Sequence, residues 1–391
     1  MRRQSLSTTL EAQVLEWLAG QRQIMIDQLR TLVDADSGSY DKEGVDRVGA
    51  QLRAFLETAG LSCETFPSEH YGDGLRATLG APDEQNRPIL LMGHRDTVFP
   101  KGEAQRRPFR IEGSRAYGPG VADMKAGLVM NSFVLAAFAR FGAPVPLVGL
   151  YTSDEEIASP SSRTLIEQEA RRARAVFNAE PGRPSGNVVT GRKGGVFMQM
   201  EIQGAPAHSG VNFEQGVSAI EELSRKVTAI HALTDLKKGI TVNVGLVSGG
   251  QSVNTVAPNA RAEIDVRYIE PQDRARVVAE IKAVVSTSFV KGTTASLKVL
   301  GEFLPLVPTN ASRHLFELYA GCAERVGLTI GEEFTGGCAD SGFAAALSVP
   351  TLCATGPCGG KPHSPDEFLE LDTLIPRAQA LALSIIALGS S

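Results

Sequence analysis

The residues best equipped for chemistry are histidines and acids at the ends of apolar runs. Met92-Gly93-His94-Arg95-Asp96-Thr97 follows one such run, and in an extended segment residues two apart face the same way, so His94 and Asp96 can meet. A metal-bound imidazole commonly donates its other N–H to a carboxylate or carbonyl, but the same pair can equally be an ordinary strand-end contact. In the glycine-rich turn Tyr117-Gly118-Pro119-Gly120-Val121-Ala122-Asp123-Met124-Lys125, Asp123 is either a helix cap or a ligand. Thr152-Ser153-Asp154-Glu155-Glu156 closes the apolar run 146–150. Its three successive acids repel one another unless solvated or neutralised by a cation. Ligands bind at the C-terminal ends of strands in open α/β sheets.

Two further clusters complete the set. Val176-Phe177-Asn178-Ala179-Glu180-Pro181 is another apolar run ending in a carboxylate, and Gly359-Gly360-Lys361-Pro362-His363-Ser364-Pro365 is a stiff loop carrying one histidine. Each can be read alone as an exposed loop. Together His94, Asp123, Glu156, Glu180 and His363, with Glu155 left over, suit two borderline divalent ions such as zinc, one carboxylate bridging.

These clusters need a scaffold that brings strand ends together. Apolar spacing predicts a long helix over 10–33 and another over 44–59, then strands near 61–66, 75–79 and 88–92, a helix over 125–141 and a buried strand over 146–152. Alternating strands and helices imply a mostly parallel sheet covered on both faces. From about 191 the texture changes to period-two runs (196–203, 240–247, 260–268) separated by amphipathic helices near 214–232 and 271–289. Strand, helix, strand, strand, helix, strand is the order of a split βαβ, ferredoxin-like unit. The expected layout is a catalytic domain over 1–191 and 305–391 interrupted by an insert over 192–304.

The 391 residues allow two or three domains at about 150 residues each. Lys plus Arg is 39 against 44 Asp plus Glu, a net −5 that disfavours a broad nucleic-acid face. The expected partners therefore include neither nucleic acid nor membrane, because the longest apolar runs are too short to span a bilayer. The basic start Met1-Arg2-Arg3 is followed by polar residues rather than a signal-like apolar run. Five scattered cysteines, an odd number, read as reduced thiols in a cytoplasm. The Cys353/Cys358 pair has no second pair to complete a four-ligand site.

Taken together and in this order, the motifs resemble the co-catalytic dizinc metallohydrolases that include acetylornithine deacetylase, succinyl-diaminopimelate desuccinylase, aminoacylase and carboxypeptidases. The likeness spans essentially the whole chain. Ala116-Tyr117-Gly118-Pro119-Gly120, Pro108-Phe109-Arg110 and Asp265-Val266-Arg267-Tyr268 resemble most the folate-cleaving glutamate carboxypeptidase branch.

The resemblance implies that His94, Asp123 and Glu180 bind one zinc and Asp123, Glu156 and His363 the other, with Asp96 clamping His94 and Glu155 the general base; cobalt or manganese can replace zinc. Where the family often has a second Asp after the bridging one, sometimes across a cis peptide, this chain has Met124. His208, in Gly204-Ala205-Pro206-Ala207-His208-Ser209-Gly210, matches a histidine that reaches a partner subunit's active site and stabilises the developing oxyanion; otherwise it is a surface-loop histidine.

Asn254 and Arg267 match residues that grip a substrate's α-carboxylate, for which a planar guanidinium fork is suited; the plain alternative for Arg267 is a salt bridge to Glu263 or Asp265. Gly336 and Gly337 lie in Thr335-Gly336-Gly337-Cys338-Ala339-Asp340-Ser341, which matches a substrate-pocket loop, with Cys338 replacing a glycine. His70, His231 and His314 are expected to be structural or exposed.

The implied activity is cleavage of an amide bond to an amino acid with a free α-carboxylate, on a peptide or N-acyl amino acid, by a homodimer. Glutamate release by a carboxypeptidase, deacylation of the acetylornithine deacetylase type, and an amidohydrolase or deaminase reaction on an aromatic substrate remain alternatives, with a non-catalytic binding protein the fourth.

Overall fold

The computed structural model describes residues 2–390, with side chains from Leu10 onward. One compact unit comprises the chain up to Gly191, Pro308–Thr335 and the chain from Ala339; a second comprises Arg192–Val307 with Gly336–Cys338.

The first unit is built on an eight-stranded sheet, in spatial order Ser62–Phe66, Gly74–Leu79, Leu147–Thr152, Ile89–His94, Ala175–Asn178, Thr351–Cys353, Val188–Arg192 and Glu332–Thr335. Its four central strands are parallel; the strands pairing outside them on either side run antiparallel. The sheet is therefore mixed around a parallel centre. Every residue of Ile89–His94 and Leu147–Thr152 is buried, as expected of parallel strands covered on both faces. The helix Ala126–Phe141 is apolar all round and buries thirteen consecutive residues from Ala126 to Phe138, the pattern of a helix enclosed on every side. Val121–Phe141 and Leu371–Ser390 are long and apolar enough to cross a membrane, yet 94% and 61% of their most apolar windows are buried in the fold.

The single helix expected over 10–33 is instead two, Arg2–Gly20 and Arg22–Val33. Gly20 weakens helix propagation, and the Gln21 side-chain amide donates to the Trp17 carbonyl at 3.2 Å. The apolar spacing continues through the break because Val14, Leu18, Met25, Leu29 and Leu32, all fully buried, join one core.

The second unit is a four-stranded antiparallel sheet, in order Thr241–Gly249, Asn259–Tyr268, Gly194–Gln203 and Thr294–Phe303. The helices Ala219–His231 and Pro271–Ser286 complete the split βαβ order. Alternation in Gly194–Gln203 buries Val196, Met198, Met200 and Ile202 and leaves Glu201 and Gln203 exposed, one covered face and one open.

A small antiparallel sheet in the first unit joins Gly359–Gly360, Phe368–Glu370, Arg115–Tyr117 and Arg110–Glu112. It pairs Phe368 with Tyr117, so the loop carrying His363 lies beside the turn that follows Tyr117.

Candidate metal centre

Parallel strands deliver most of this site from one end of the sheet. His94 is the last residue of its strand, Glu155 and Glu156 follow Leu147–Thr152, and Glu180 lies two residues past Ala175–Asn178. Glu180 can approach because the neighbouring helix carries Gly127, where a Cβ would overlap the Ala179 carbonyl oxygen. Asp123 comes from the irregular turn Val121–Lys125, and its peptide bond to Met124 is cis. The small antiparallel sheet brings His363 to the same place.

The two oxygens of Asp123 face opposite histidines. Oδ1 is 3.3 Å from His94 Nε2 and Oδ2 is 3.3 Å from His363 Nε2. Around His94 lie Glu180 Oε1 at 3.7 Å and Glu155 Oε2 at 3.9 Å; Glu156 Oε2 is 3.1 Å from His363 Nε2. Donor atoms of His94, Glu155 and Glu180, and of His94, Asp123 and Glu156, all fall within 4.8 Å of one another. Two donors each about 2.0–2.1 Å from a tetrahedral ion stand about 3.3–3.4 Å apart, so these spacings fit cation ligation. Glu156 Oε1 is buried with no hydrogen-bond partner in the protein, a costly arrangement unless a cation occupies the remaining lone pairs.

Asp96 organises the site from behind. Its backbone oxygen lies 3.0 Å and its carboxylate Oδ1 3.4 Å from His94 Nδ1. The carboxylate also accepts the backbone N–H groups of Glu155 and Glu156, each at 3.1 Å. One buried acid thus orients the imidazole and fixes the turn that aims two neighbouring glutamates differently.

The electrostatics are those of crowded acids. Burial works against the charged form of Asp123, but hydrogen bonds from His363 and His94 hold its carboxyl below the usual range. Burial first, then repulsion by Glu180, Asp340 and Glu156, drives Glu155 well above an ordinary glutamate. Burial and the Asp123 charge raise Glu156 to about 7. Hydrogen bonds to Asp123 and Glu156 raise His363 to about 10 against its partial burial. Mutual repulsion of this kind is relieved when cations bind among the carboxylates.

His208, Asn254, Arg267, Gly336 and Gly337 belong to the second unit. His208 and Asn254 are both exposed and lie on paired segments: Ser209 N donates to Asn254 O at 3.0 Å, and His208 bridges to Thr255. Arg267 is held on its own strand by Asp265 Oδ1 at 2.7 Å and by Cys338 Sγ at 2.7 Å. Gly337 O and Cys338 O accept from Arg192 Nη1 at 3.2 and 3.1 Å.

Three supporting residues escaped the sequence reading. Ser39 Oγ donates to Asp96 Oδ2 at 2.7 Å. Asp340, 2% exposed, accepts from Thr152 Oγ1 at 3.2 Å and from Ser159 Oγ; burial raises it to about 7. Glu367, fully buried, accepts the backbone N–H groups of Gly120 at 3.1 Å, Ala122 at 2.9 Å and Asp123 at 3.0 Å. It ties the His363 loop to the turn bearing Asp123. The available signal for Glu367 was an acid four residues past a candidate ligand.

Comparison with known proteins points the same way. Residues 90–387 match the model of peptidase family M20/M25/M40. Carboxypeptidase G2 of Pseudomonas sp. (strain RS-16) is 28% identical over 373 residues, covering 94% of this chain and 89% of that protein. Acetylornithine deacetylase of Pasteurella multocida (strain Pm70) is 28% identical over 353 residues, 85% of this chain and 88% of the relative. The fold is shared with the M20 family metallo-carboxypeptidase Sso-CP2 of Sulfolobus solfataricus, at a TM-score of 0.79 over 94% of this chain and 99% of that one, with 18% identity.

Proposed function

The chain belongs to peptidase family M20/M25/M40 and is a metallohydrolase acting on amide or peptide bonds; from that premise we propose that it uses two zinc ions to cleave the amide bond to an amino acid with a free α-carboxylate. The observation that carries the two-ion reading is Asp123, whose two oxygens face His94 and His363 at equal distance. Glu180 completes the first ligand set and Glu156 the second. Ions bound there lower the pKa of water and polarise the scissile carbonyl.

Glu155 takes the proton from the attacking water and returns it to the leaving amine. Its carboxylate is buried beside both ligand sets, with Oε2 3.9 Å from His94 Nε2, a position that suits that task. Asp96 keeps the His94 ring and the Glu155–Glu156 turn in register. In the second unit, Asn254 and Arg267 grip the α-carboxylate, the Gly336–Gly337 loop lines the pocket, and His208 stabilises the oxyanion of a partner's site in a homodimer. The dimer is supported by the edge strand Thr241–Gly249, which leaves Leu246 and Val247 64% and 61% exposed; such an edge invites pairing. The first unit is the catalytic domain and the second the dimerisation domain. A reducing cytoplasm suits the five free cysteines.

The two relatives are named as a carboxypeptidase and an acetylornithine deacetylase, which supports an amide to an amino acid and leaves its side chain open. A panel of N-acyl amino acids with glutamate, aspartate, ornithine and apolar leaving groups tests the reading. Chelator-sensitive hydrolysis restored by zinc is expected, and hydrolysis indifferent to chelator would overturn it.

A further inference from the structure

An open groove of about 590 Å³ in the first unit has Glu156 and Ile157 on one wall and Tyr40, Asp41 and the segment Val98-Phe99-Pro100-Lys101 around the rest. That volume is within the roughly 300–1,000 Å³ of small-molecule sites, and an acetyl group would leave most of it empty. Glu156 is the same residue whose Oε2 stands 3.1 Å from His363, so the groove and the metal centre share this residue. Its rim is unusually apolar for a surface: Tyr40 is 79% and Val98 43% exposed. Neither requires solvent, and large exposed apolar groups gathered in one place mark binding sites.

Charge decides what the groove takes. Among the described lining residues the one cation is Lys101, whose Nζ lies 3.6 Å from Asp41 and 4.0 Å from Glu43. Asp41 in turn accepts the N–H of Gly44 at the start of the helix Lys42–Thr58. A carboxylate placed here would meet a cation already matched by acids, and its desolvation would go uncompensated. The amino-acid half of the substrate carries such a carboxylate, and the acyl half need not.

We propose that this groove is the acyl subsite, and that it selects an uncharged, apolar acyl group larger than acetyl over acetyl itself and over a carboxylate-bearing acyl such as succinyl. The assignment rests on the amide-hydrolase reading above. In it, Tyr40 and Val98 are specificity determinants that contact the acyl chain away from the reacting atoms.

The test uses the full-length, metal-loaded protein and substrates sharing one leaving amino acid. The expected kcat/KM for N-hexanoyl exceeds that for N-acetyl and N-succinyl by about tenfold or more, since even one methylene in an apolar pocket gives about tenfold. Val98→Asp and Tyr40→Ser, both at exposed positions, should lower the hexanoyl-to-acetyl ratio about tenfold without changing the ranking of leaving amino acids. An unchanged ratio, or a changed leaving-group ranking with a constant acyl ratio, would overturn the assignment. Should the parent cleave no amide at all, the hydrolase reading fails and equilibrium binding still reads the groove. Tighter binding of hexanamide than of succinamic acid, weakened by Val98→Asp, supports it; equal binding of the two contradicts it.

Discussion

His94 and His363 face one carboxylate at the same 3.3 Å, yet their surroundings are opposite. The His94 side chain is 1% exposed and closes a strand, with Asp96 behind it. The side chain of His363 is 52% exposed and sits in a loop, with a backbone φ of 60°. The buried half of the centre is over-determined by the parallel sheet. The other half depends on a short antiparallel sheet and on Glu367. Exposure therefore separates the two histidines and not their carboxylate partners, since the side chains of Glu156 and Glu180 are both buried; on the proposed ligand sets the ion at His363 is the one expected to exchange more readily.

The comparison breaks most completely at Asp123, which both halves share. Asp123→Ala should strip metal from the whole centre and cost more than the roughly 10²–10⁴-fold attributable to a general base, measured as kcat/KM beside metal content. Glu155→Gln should lose about 10²–10⁴-fold in kcat while retaining metal, because Glu155 belongs to neither proposed ligand set; full activity in that variant would remove it from the role of base. Glu367→Ala leaves three buried N–H groups without their acceptor. It should weaken metal binding about 10–100-fold, as loss of an orienting partner does, and chiefly in the His363 half. Glu367→Gln, which keeps one acceptor oxygen, should recover part of that loss in a zinc titration.

The smallest effect lies behind the centre. Asp340 is raised to about 7 in the folded protein, burial being the main cause, so the native state holds its proton more tightly than the unfolded chain, where an aspartate titrates near about 3.9. Its contribution to stability is then full below that unfolded value and is lost as pH rises through about 7. In metal-free protein, urea midpoints of the parent should fall relative to Asp340→Asn between pH 5 and 8. A constant difference would contradict the shift.

Much of the fold was legible because its elements differ in period. The runs ending at Met92, Leu150 and Phe177 are apolar throughout, while Val196, Met198, Met200 and Ile202 alternate with outward-facing residues, and both patterns follow directly from burial on two faces or one. Chain direction is absent from such patterns, so the antiparallel strands flanking the parallel centre were not foreseen. Nor was the break at Gln21, since helical spacing continues across it. The small antiparallel sheet was illegible because strands of two or three residues, such as Gly359–Gly360 and Arg110–Glu112, are too short to show a period.

The same limit applies at the site. His94, Asp123, Glu156, Glu180 and His363 stood out as polar residues at the ends of apolar runs, and they converge. Ser39 and Glu367 lie in polar stretches where a buried acid or hydroxyl looks like any solvated one, and Asp340 lies in the Thr335–Ser341 loop, where the resemblance points to the glycines and not to the acid. His208 and Asn254 share a pair of exposed segments, a placement that leaves their contribution to a composite site as a proposal about the dimer.

The most direct measurement is zinc binding to chelator-stripped protein, followed to saturation by mass-spectrometric or calorimetric stoichiometry in the parent and in His363→Ala. The account predicts two ions per chain for the parent, the second more weakly held and more readily chelated, and one ion for His363→Ala. A parent that saturates at a single ion, or a variant that still binds two, would contradict the shared-carboxylate centre.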